Sequence, residues 1–198
     1  MTGAVKWNLI SEQDYLAGEE LSSVKHEYVG GSVHAMAGAG NLHNIIALNF
    51  AGEFRNRLKG QPCQPFNSDT NVRIRLPTHV RYYYPDALVV CRPNPTSDSF
   101  QDDPVVIVEV LSDSTRRIDE GEKRDAYFTI PSLRVYLLVE QEAAVVIAYR
   151  RSEQGFVREV YSGREAILPL PEIQIDLPLS DVYDRVEFPT NAEAELPS

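Results

Sequence analysis

Tryptophan occurs once in the 198 residues, and methionine and cysteine twice each. So few cysteines cannot build a disulfide framework, and Cys63 and Cys91 stand far apart in unlike contexts, without the paired spacing of a zinc site. On that spacing they are expected to be reduced thiols in a cytoplasmic protein. No stretch approaches the roughly 20 apolar residues that span a bilayer. The start, Met-Thr-Gly-Ala-Val-Lys-Trp, lacks a basic region followed by a long apolar one, so no secretory signal is expected in it. Phosphate-loop, GxSxG and HExxH patterns are missing, and His26, His34, His43 and His79 make no metal-ligand spacing. Gly38-Ala39-Gly40 before a helix is too short a signal for a nucleotide. Positive charge is also scarce: 19 Lys and Arg against 29 Asp and Glu give a net charge of −10. That balance leans against binding nucleic acid over the whole surface, though a local basic groove or a bound cation would permit it.

What is present patterns cleanly. Ser11-Glu12-Gln13-Asp14 opens with a capping serine and first-turn acids, predicting a helix to about Leu21. Lys25–Val29 and Ser32–Met36 flank Gly30-Gly31, a hairpin signal. Leu42, Ile45, Ile46, Phe50, Phe54 and Leu58 recur at helical period, predicting a helix over 41–59. Val72, Ile74 and Leu76 alternate with Asn71, Arg73 and Arg75, so 70–76 reads as a strand with one wet face. Tyr82 to Val90 and Val105 to Leu111 read as buried strands, and the stretch from Pro93 to Asp103 as a surface connection. Asp119 and Glu122 resemble an N-cap with its reciprocating acid, starting a helix to about Thr129. A meander follows over 134–140, 143–150 and 156–160, then a short strand near 173–175 and a helical turn near 180–184. The expected fold is α/β (α+β): one twisted mixed β-sheet flanked by helices, with an N-terminal β-hairpin, in a single domain over 1–188. Residues 189–198 are expected to be a disordered tail.

Two of these strands carry an anomaly. Glu109 interrupts Val105-Val106-Ile107-Val108 and Val110-Leu111, and Asp86 stands behind Pro85 at the head of Ala87-Leu88-Val89-Val90. Burying an ionised carboxylate costs several kcal/mol unless a cation or donors compensate. Two of them about 4 Å apart would repel by roughly 4 kcal/mol at an effective dielectric near 20. A shared proton, a Lys or Arg, or a divalent cation would relieve this, and each acid could instead end its strand and meet solvent. Lys123 shares a helical face with Asp119, Ala126, Tyr127 and Ile130, so it points inward or along the boundary. It could snorkel, pair with a carboxylate, or orient a water. On its own, Glu27 reads as an exposed strand acid. His43, in the first turn of a helix, faces either a site or, more simply, the surface. Ser112, Ser114 and Thr115 read as loop and cap residues. Arg55, Arg57, Lys59, Arg73, Arg75, Arg116 and Arg117 could contact phosphate, although each also reads as a solvated surface charge.

Pro85-Asp86 followed by Glu109-Val110-Leu111 resembles the Pro-Asp…(Asp/Glu)-x-Lys signature of the restriction-endonuclease-like nuclease superfamily. In detail the chain resembles the Uma family, small stand-alone chains described as endonucleases and formerly a domain of unknown function. The resemblance runs through Lys25–Gly31, His43, Tyr84–Val90, Val108–Thr115, Asp119–Lys123 and Pro131–Tyr136, and covers roughly residues 10 to 185. It implies a restriction-endonuclease-like fold in which Asp86 and Glu109 hold Mg2+ or Mn2+, helped by the backbone carbonyl of Val110. The superfamily lysine place, two residues after Glu109, is Leu111; the resemblance nominates Lys123 instead, and Glu27 as the additional upstream acid. It implies hydrolysis of phosphodiester bonds in nucleic acid, DNA first, with the protein acting as a homodimer and without a membrane. Two other readings stand beside it: a non-catalytic or regulatory oligomeric protein that keeps the nuclease fold, and a metal-dependent hydrolase of small phosphoesters.

Overall fold

The computed structural model describes residues 9–36 and 38–188; the expected tail over 189–198 lies outside them. Helix α1 (Glu12–Leu21) starts as its sequence predicts, with Ser11 Oγ accepting from the Asp14 N–H at 3.1 Å. Strands β1 (His26–Val29) and β2 (Ser32–Ala35) form the expected hairpin. Its turn needs glycine, since Gly30 and Gly31 adopt φ of 55° and 103°, and a Cβ on Gly31 would collide with Leu9. Helix α2 (Asn41–Arg57) buries Ile46, Phe50 and Phe54 along one stripe. Then come β3 (Gln64–Asn67), β4 (Asn71–Arg75), β5 (Val80–Tyr83), β6 (Ala87–Val90), β7 (Phe100–Gln101) and β8 (Pro104–Val110). A helical stretch follows, made of α3 (Arg116–Ile118), a π-turn over Asp119–Lys123 and α4 (Arg124–Tyr127). Strands β9 (Val135–Val139), β10 (Val145–Ser152) and β11 (Gly155–Ser162) are the predicted meander. The last segment holds β12 (Ile167–Leu170), β13 (Ile175–Pro178) and α5 (Leu179–Val182).

The strands divide into two main sheets, in the order β2-β1-β5-β4-β7 and β11-β10-β9-β8-β6-β3, with β12-β13 as a separate ribbon. The fold is a mixed α/β arrangement as expected, but the one expected sheet is two, because the single run Tyr82 to Val90 is divided between them. Pro85 has no N–H to give a ladder and restricts Tyr84 before it, so the chain leaves β5 and enters β6 in the other sheet. Asp86 sits at that crossing, its N–H held by the Val108 carbonyl at 3.0 Å.

Strands β6 and β8 are antiparallel neighbours, whereas β8 and β9 are parallel. A parallel pair needs a crossover, and the helical stretch 116–127 supplies it. Val106, Val108 and Val110 face the core shared with α2, α5 and the C-terminal ribbon. Ile107 and Leu111 point the other way, into a second core with Ala126, Tyr127 and Ile130 of the crossover and with Val72, Ile74 and Tyr83 of the five-stranded sheet. Glu109 shares that second face by the two-residue period of a strand. The crossover therefore lies directly over the buried acid. A third cluster, Tyr15, Tyr28 and Tyr82, seats α1 on the five-stranded sheet.

Two expectations are corrected here. Asp119 is not an N-cap: its backbone is helical and continues a turn begun at Arg116, because Ser112 and Thr115 carbonyls already accept the preceding helical N–H groups. Cys63 and Cys91 are not separate thiols but a disulfide. Antiparallel pairing of β3 with β6 sets Gln64 opposite Val90, so the next pair out is Cys63 and Cys91. A separation of 28 residues conceals a cross-strand contact.

Candidate active site

Four elements deliver charged side chains to one cleft of about 730 Å³. Asp86 comes from the crossing between sheets, Glu109 and Val110 from the end of β8, Asp119 and Lys123 from the π-turn, and His43 from the first turn of α2. Glu27, on β1, approaches from the other sheet through Lys123.

Lys123 is the hub. Its ammonium Nζ lies 2.8 Å from Glu27 Oε1, 3.4 Å from Glu109 Oε1 and 3.4 Å from Asp119 Oδ1. Glu109, Asp119 and Lys123 are 4%, 2% and 6% exposed, so this cluster is nearly out of water. Burial alone would lower the lysine pKa, but the charges of Glu109, Glu27 and Asp119 outweigh it and hold the ammonium charged. Glu109 is displaced the opposite way. Its burial pushes the carboxyl well above the usual range; Lys123 opposes this, while Asp119, Asp86 and Glu27 add to it. Asp119 is raised for the same leading reason, burial, against the opposing charge of Lys123. The Tyr127 hydroxyl donates to Glu109 Oε1 at 3.1 Å, and burial followed by the Glu109 charge pushes its pKa well up, so it stays a donor.

Asp86 forms the second half. Its Oδ2 accepts from the Val110 N–H at 2.7 Å and lies 3.2 Å from His43 Nε2. Burial would lower the His43 pKa, yet the hydrogen bond and charge of Asp86 prevail and raise it, with the Val110 carbonyl contributing. Three side-chain atoms of this region are buried without a hydrogen-bond partner: Glu27 Oε1, which lies near Lys123 but is misaligned, Asp119 Oδ1, and His43 Nδ1.

The structure thus brings together Asp86, Glu109, Lys123 and the Val110 backbone in one cleft, and joins Glu27 to them by an ion pair. Lys123 points inward, and Glu27 is not an exposed strand acid. Leu111 is buried in the core on the face of Glu109, and the ammonium beside that acid comes from Lys123 of the crossover. Sequence reasoning gives Tyr127 and Asp119 no place in a site and leaves His43 between a site and the surface. Tyr127 reads as a core aromatic, and its hydroxyl role has no linear signal. Asp119 reads as a cap, though its four-residue spacing from Lys123 was a usable clue. His43 reads more simply as a surface histidine, yet it lines the cleft. Of the arginines considered for phosphate, Arg57 is paired with Glu53 and Asp181, Arg73 with Asp102, and Arg116 with Glu120 and Glu140.

The residues fit a divalent cation. Four carboxylates (Glu27, Asp86, Glu109 and Asp119) face one ammonium and one imidazole, and a buried carboxylate oxygen of Asp119 has no donor. Among the described residues no three His, Cys, Asp or Glu side chains already form a closed metal-holding group. Mg2+ does not demand a closed protein cage, since it keeps several waters in its shell.

Mixed sheets that bring acids from the ends of neighbouring interior strands under a crossing helix match a nuclease-like α/β fold. A crystal structure described as that of "a putative nuclease belonging to DUF820 from Anabaena variabilis" shares it, with a TM-score of 0.67 over 84% of this chain and 93% of that one at 15% identity. The profile of the Uma2 family, described as "Putative restriction endonuclease", matches residues 12–180, and the chain belongs to that family. Two proteins of Synechocystis sp. are also similar. Uncharacterized protein slr1290 is 35% identical over 74% of this chain and 76% of its own length. Uncharacterized protein sll1609 is 30% identical over 72% and 81%. Among the described residues no helix is long and apolar enough to cross a membrane.

Proposed function

We propose that this protein is a divalent-metal-dependent endonuclease that hydrolyses phosphodiester bonds of DNA. The observation that carries the reading is the buried ammonium of Lys123 set against Glu109 in the cleft that also holds Asp86. Asp86, Glu109 and the Val110 carbonyl would hold Mg2+ or Mn2+; when bound, such an ion lowers the pKa of a water and polarises the phosphate. The chain's own groups do the rest. The Val110 N–H fixes Asp86 Oδ2, and the Tyr127 hydroxyl and Lys123 fix Glu109 Oε1, so both acids are oriented before any ligand arrives. Lys123 orients the attacking water and steadies negative charge developing on the phosphate. Glu27, its nearest partner, sets where that ammonium stands.

The test is Mg2+- or Mn2+-dependent nicking of plasmid DNA by purified protein. Asp86→Ala and Glu109→Ala are each expected to reduce nicking to background. Cleavage that survives both changes after full purification overturns the reading.

One observation favours a non-catalytic protein that keeps the fold: Lys123 is already met by three carboxylates, and the chain is acidic. Calorimetric titration with Mn2+ separates the two readings. Absence of binding, or binding unchanged by Glu109→Ala, selects the second.

A further inference from the structure

Asp119 is the acid of this cleft without an assigned task. It is 2% exposed, lines the cleft, and its Oδ1 is buried with no hydrogen-bond partner. Lys123 and the Thr115 side chain oppose the burial of its charge, but neither makes a hydrogen bond to Oδ1. The ammonium lies closer to Glu27, at 2.8 Å against 3.4 Å, and Glu109 at 3.4 Å also draws on it. One ammonium thus faces three carboxylates, with Asp86 in the same cleft. A purely structural Asp119 would add negative charge where it is already in excess, and a buried carboxylate left uncompensated costs several kcal/mol.

The local backbone sets up this placement. Asp119 and Lys123 open and close a π-turn, in which the helix widens by one residue per turn. Both side chains lie on the cleft side, as their four-residue spacing allows, while Glu120 and Glu122 stay toward solvent. Glu109 and Asp119 both touch Nζ at 3.4 Å, so their oxygens stand no more than about 6.8 Å apart. Both carboxylates therefore border the same part of the cleft, beside one ammonium.

We propose that Asp119 is a further carboxylate ligand of the same divalent cation that Asp86 and Glu109 hold. This inference rests on the metal-dependent reading above and adds to it a ligand from the element that supplies the lysine. The π-turn then delivers two groups to the reaction centre: Asp119 to the ion and Lys123 to the water.

The experiment replaces the ligand by a softer one. Asp119→Cys, titrated with Cd2+, is expected to show the ultraviolet thiolate-to-cadmium charge-transfer band at one equivalent, and to lose it when Asp86→Ala is added. The native cysteines are joined to each other, so the new thiol is the free one among the described residues. In parallel, calorimetry with Mn2+ should give at least a roughly tenfold weaker affinity for Asp119→Asn, against a smaller change for Glu27→Gln, which removes only a partner of Lys123. Asp86-dependent Mn2+ binding in the wild type, with no thiolate band in Asp119→Cys and wild-type affinity in Asp119→Asn, overturns the inference and leaves the metal reading standing. No Mn2+ binding by the wild type removes the metal reading itself, and this inference with it.

Discussion

Glu109→Gln should make the ion-free protein more stable at pH 8, although Glu109 sits at the centre of the site. The arithmetic follows from Lys123 as a hub. At 3.4 Å and an effective dielectric near 20, the lysine attracts Glu109 by about 5 kcal/mol. Asp119 and Glu27 reach the same nitrogen at 3.4 and 2.8 Å, so neither oxygen is farther than about 7 Å from Glu109, and each repels it by at least about 2 kcal/mol. Repulsion thus cancels most of the attraction, and the cost of burying the charge stands uncompensated. A glutamine keeps the acceptor for Tyr127 and Lys123 and brings an amide that the unpartnered oxygens of Asp119 or Glu27 can accept. The expected gain is about 1–3 kcal/mol at pH 8.

The pH dependence gives the sign. The folded carboxyl of Glu109 has a raised pKa, so the folded state binds more protons than the unfolded one, and wild-type stability falls as pH rises from about 4.5 toward the folded value. The glutamine of the variant does not titrate, so its advantage should shrink as pH falls toward 5. Urea unfolding in a chelator at pH 8 and pH 5.5, followed by circular dichroism, measures both quantities. A variant less stable than wild type at pH 8, or a gain equal at the two pH values, refutes the reasoning. With Mn2+ at about 1,000 times its dissociation constant the order should reverse, because binding adds about 4.1 kcal/mol to the wild type.

Three further outcomes follow from the same physics. Lys123→Met strands the two buried acids Glu109 and Asp119, and should cost about 3–5 kcal/mol at pH 8 and less at lower pH, since both carboxyls are raised by burial and take up protons more readily; urea unfolding at pH 8 and pH 5 reads this out. Reducing the Cys63–Cys91 bond frees a 28-residue loop in the unfolded chain, so unfolding with and without reductant should differ by about 3.5 kcal/mol, and thiol titration of the native protein should find no reactive group from this pair. Asp102 is half-buried, which would raise its pKa, but the paired bonds from Arg73 at 2.7 Å and the amide of Asn94 lower it. Its contribution is therefore complete above about pH 4 and lost as pH falls through its lower folded value; Asp102→Asn should flatten that acid limb by about 1 kcal/mol, since the pair is partly exposed.

The most informative residues in the sequence were the ones out of keeping with their surroundings. Glu109 among aliphatic residues and Asp86 behind Pro85 both mark places where burial must be compensated, and both line the cleft. Strand periodicity put Glu109 on the face of Ile107 and Leu111, and helical periodicity turned Lys123 inward, so their meeting required only that the crossover from β8 to β9 lie on that face. What periodicity could not supply was any contact made by a change of sheet or a pairing at a distance. Tyr82 to Val90 is one hydrophobic run whose division between two sheets depends on which partners each half finds. Cys63 and Cys91 meet only because β3 pairs with β6 in one register.

Asp119 and Tyr127 show a different limit. Each fits a conventional role locally: an acid before a helix is a cap, and an aromatic on an inward helical face is core. Both roles are incomplete. Tyr127 is core, and its hydroxyl is also a donor to Glu109. Asp119 lies inside the helical stretch because the helix already begins at Arg116, and the π-turn that follows, a one-residue change in helical spacing, cannot be read from a hydrophobic pattern that Glu120, Gly121 and Glu122 leave blank. The four-residue spacing of Asp119 and Lys123 would in an ordinary helix be a surface ion pair worth a few tenths of a kcal/mol. Here the same spacing is buried under a parallel crossover and beside Glu109, and its energetics belong to the cleft rather than to the helix. A site built this way, from an acid on a strand and a second acid and a lysine on the helix that crosses over it, depends less on the linear order of its residues than on the parallel pairing of β8 and β9.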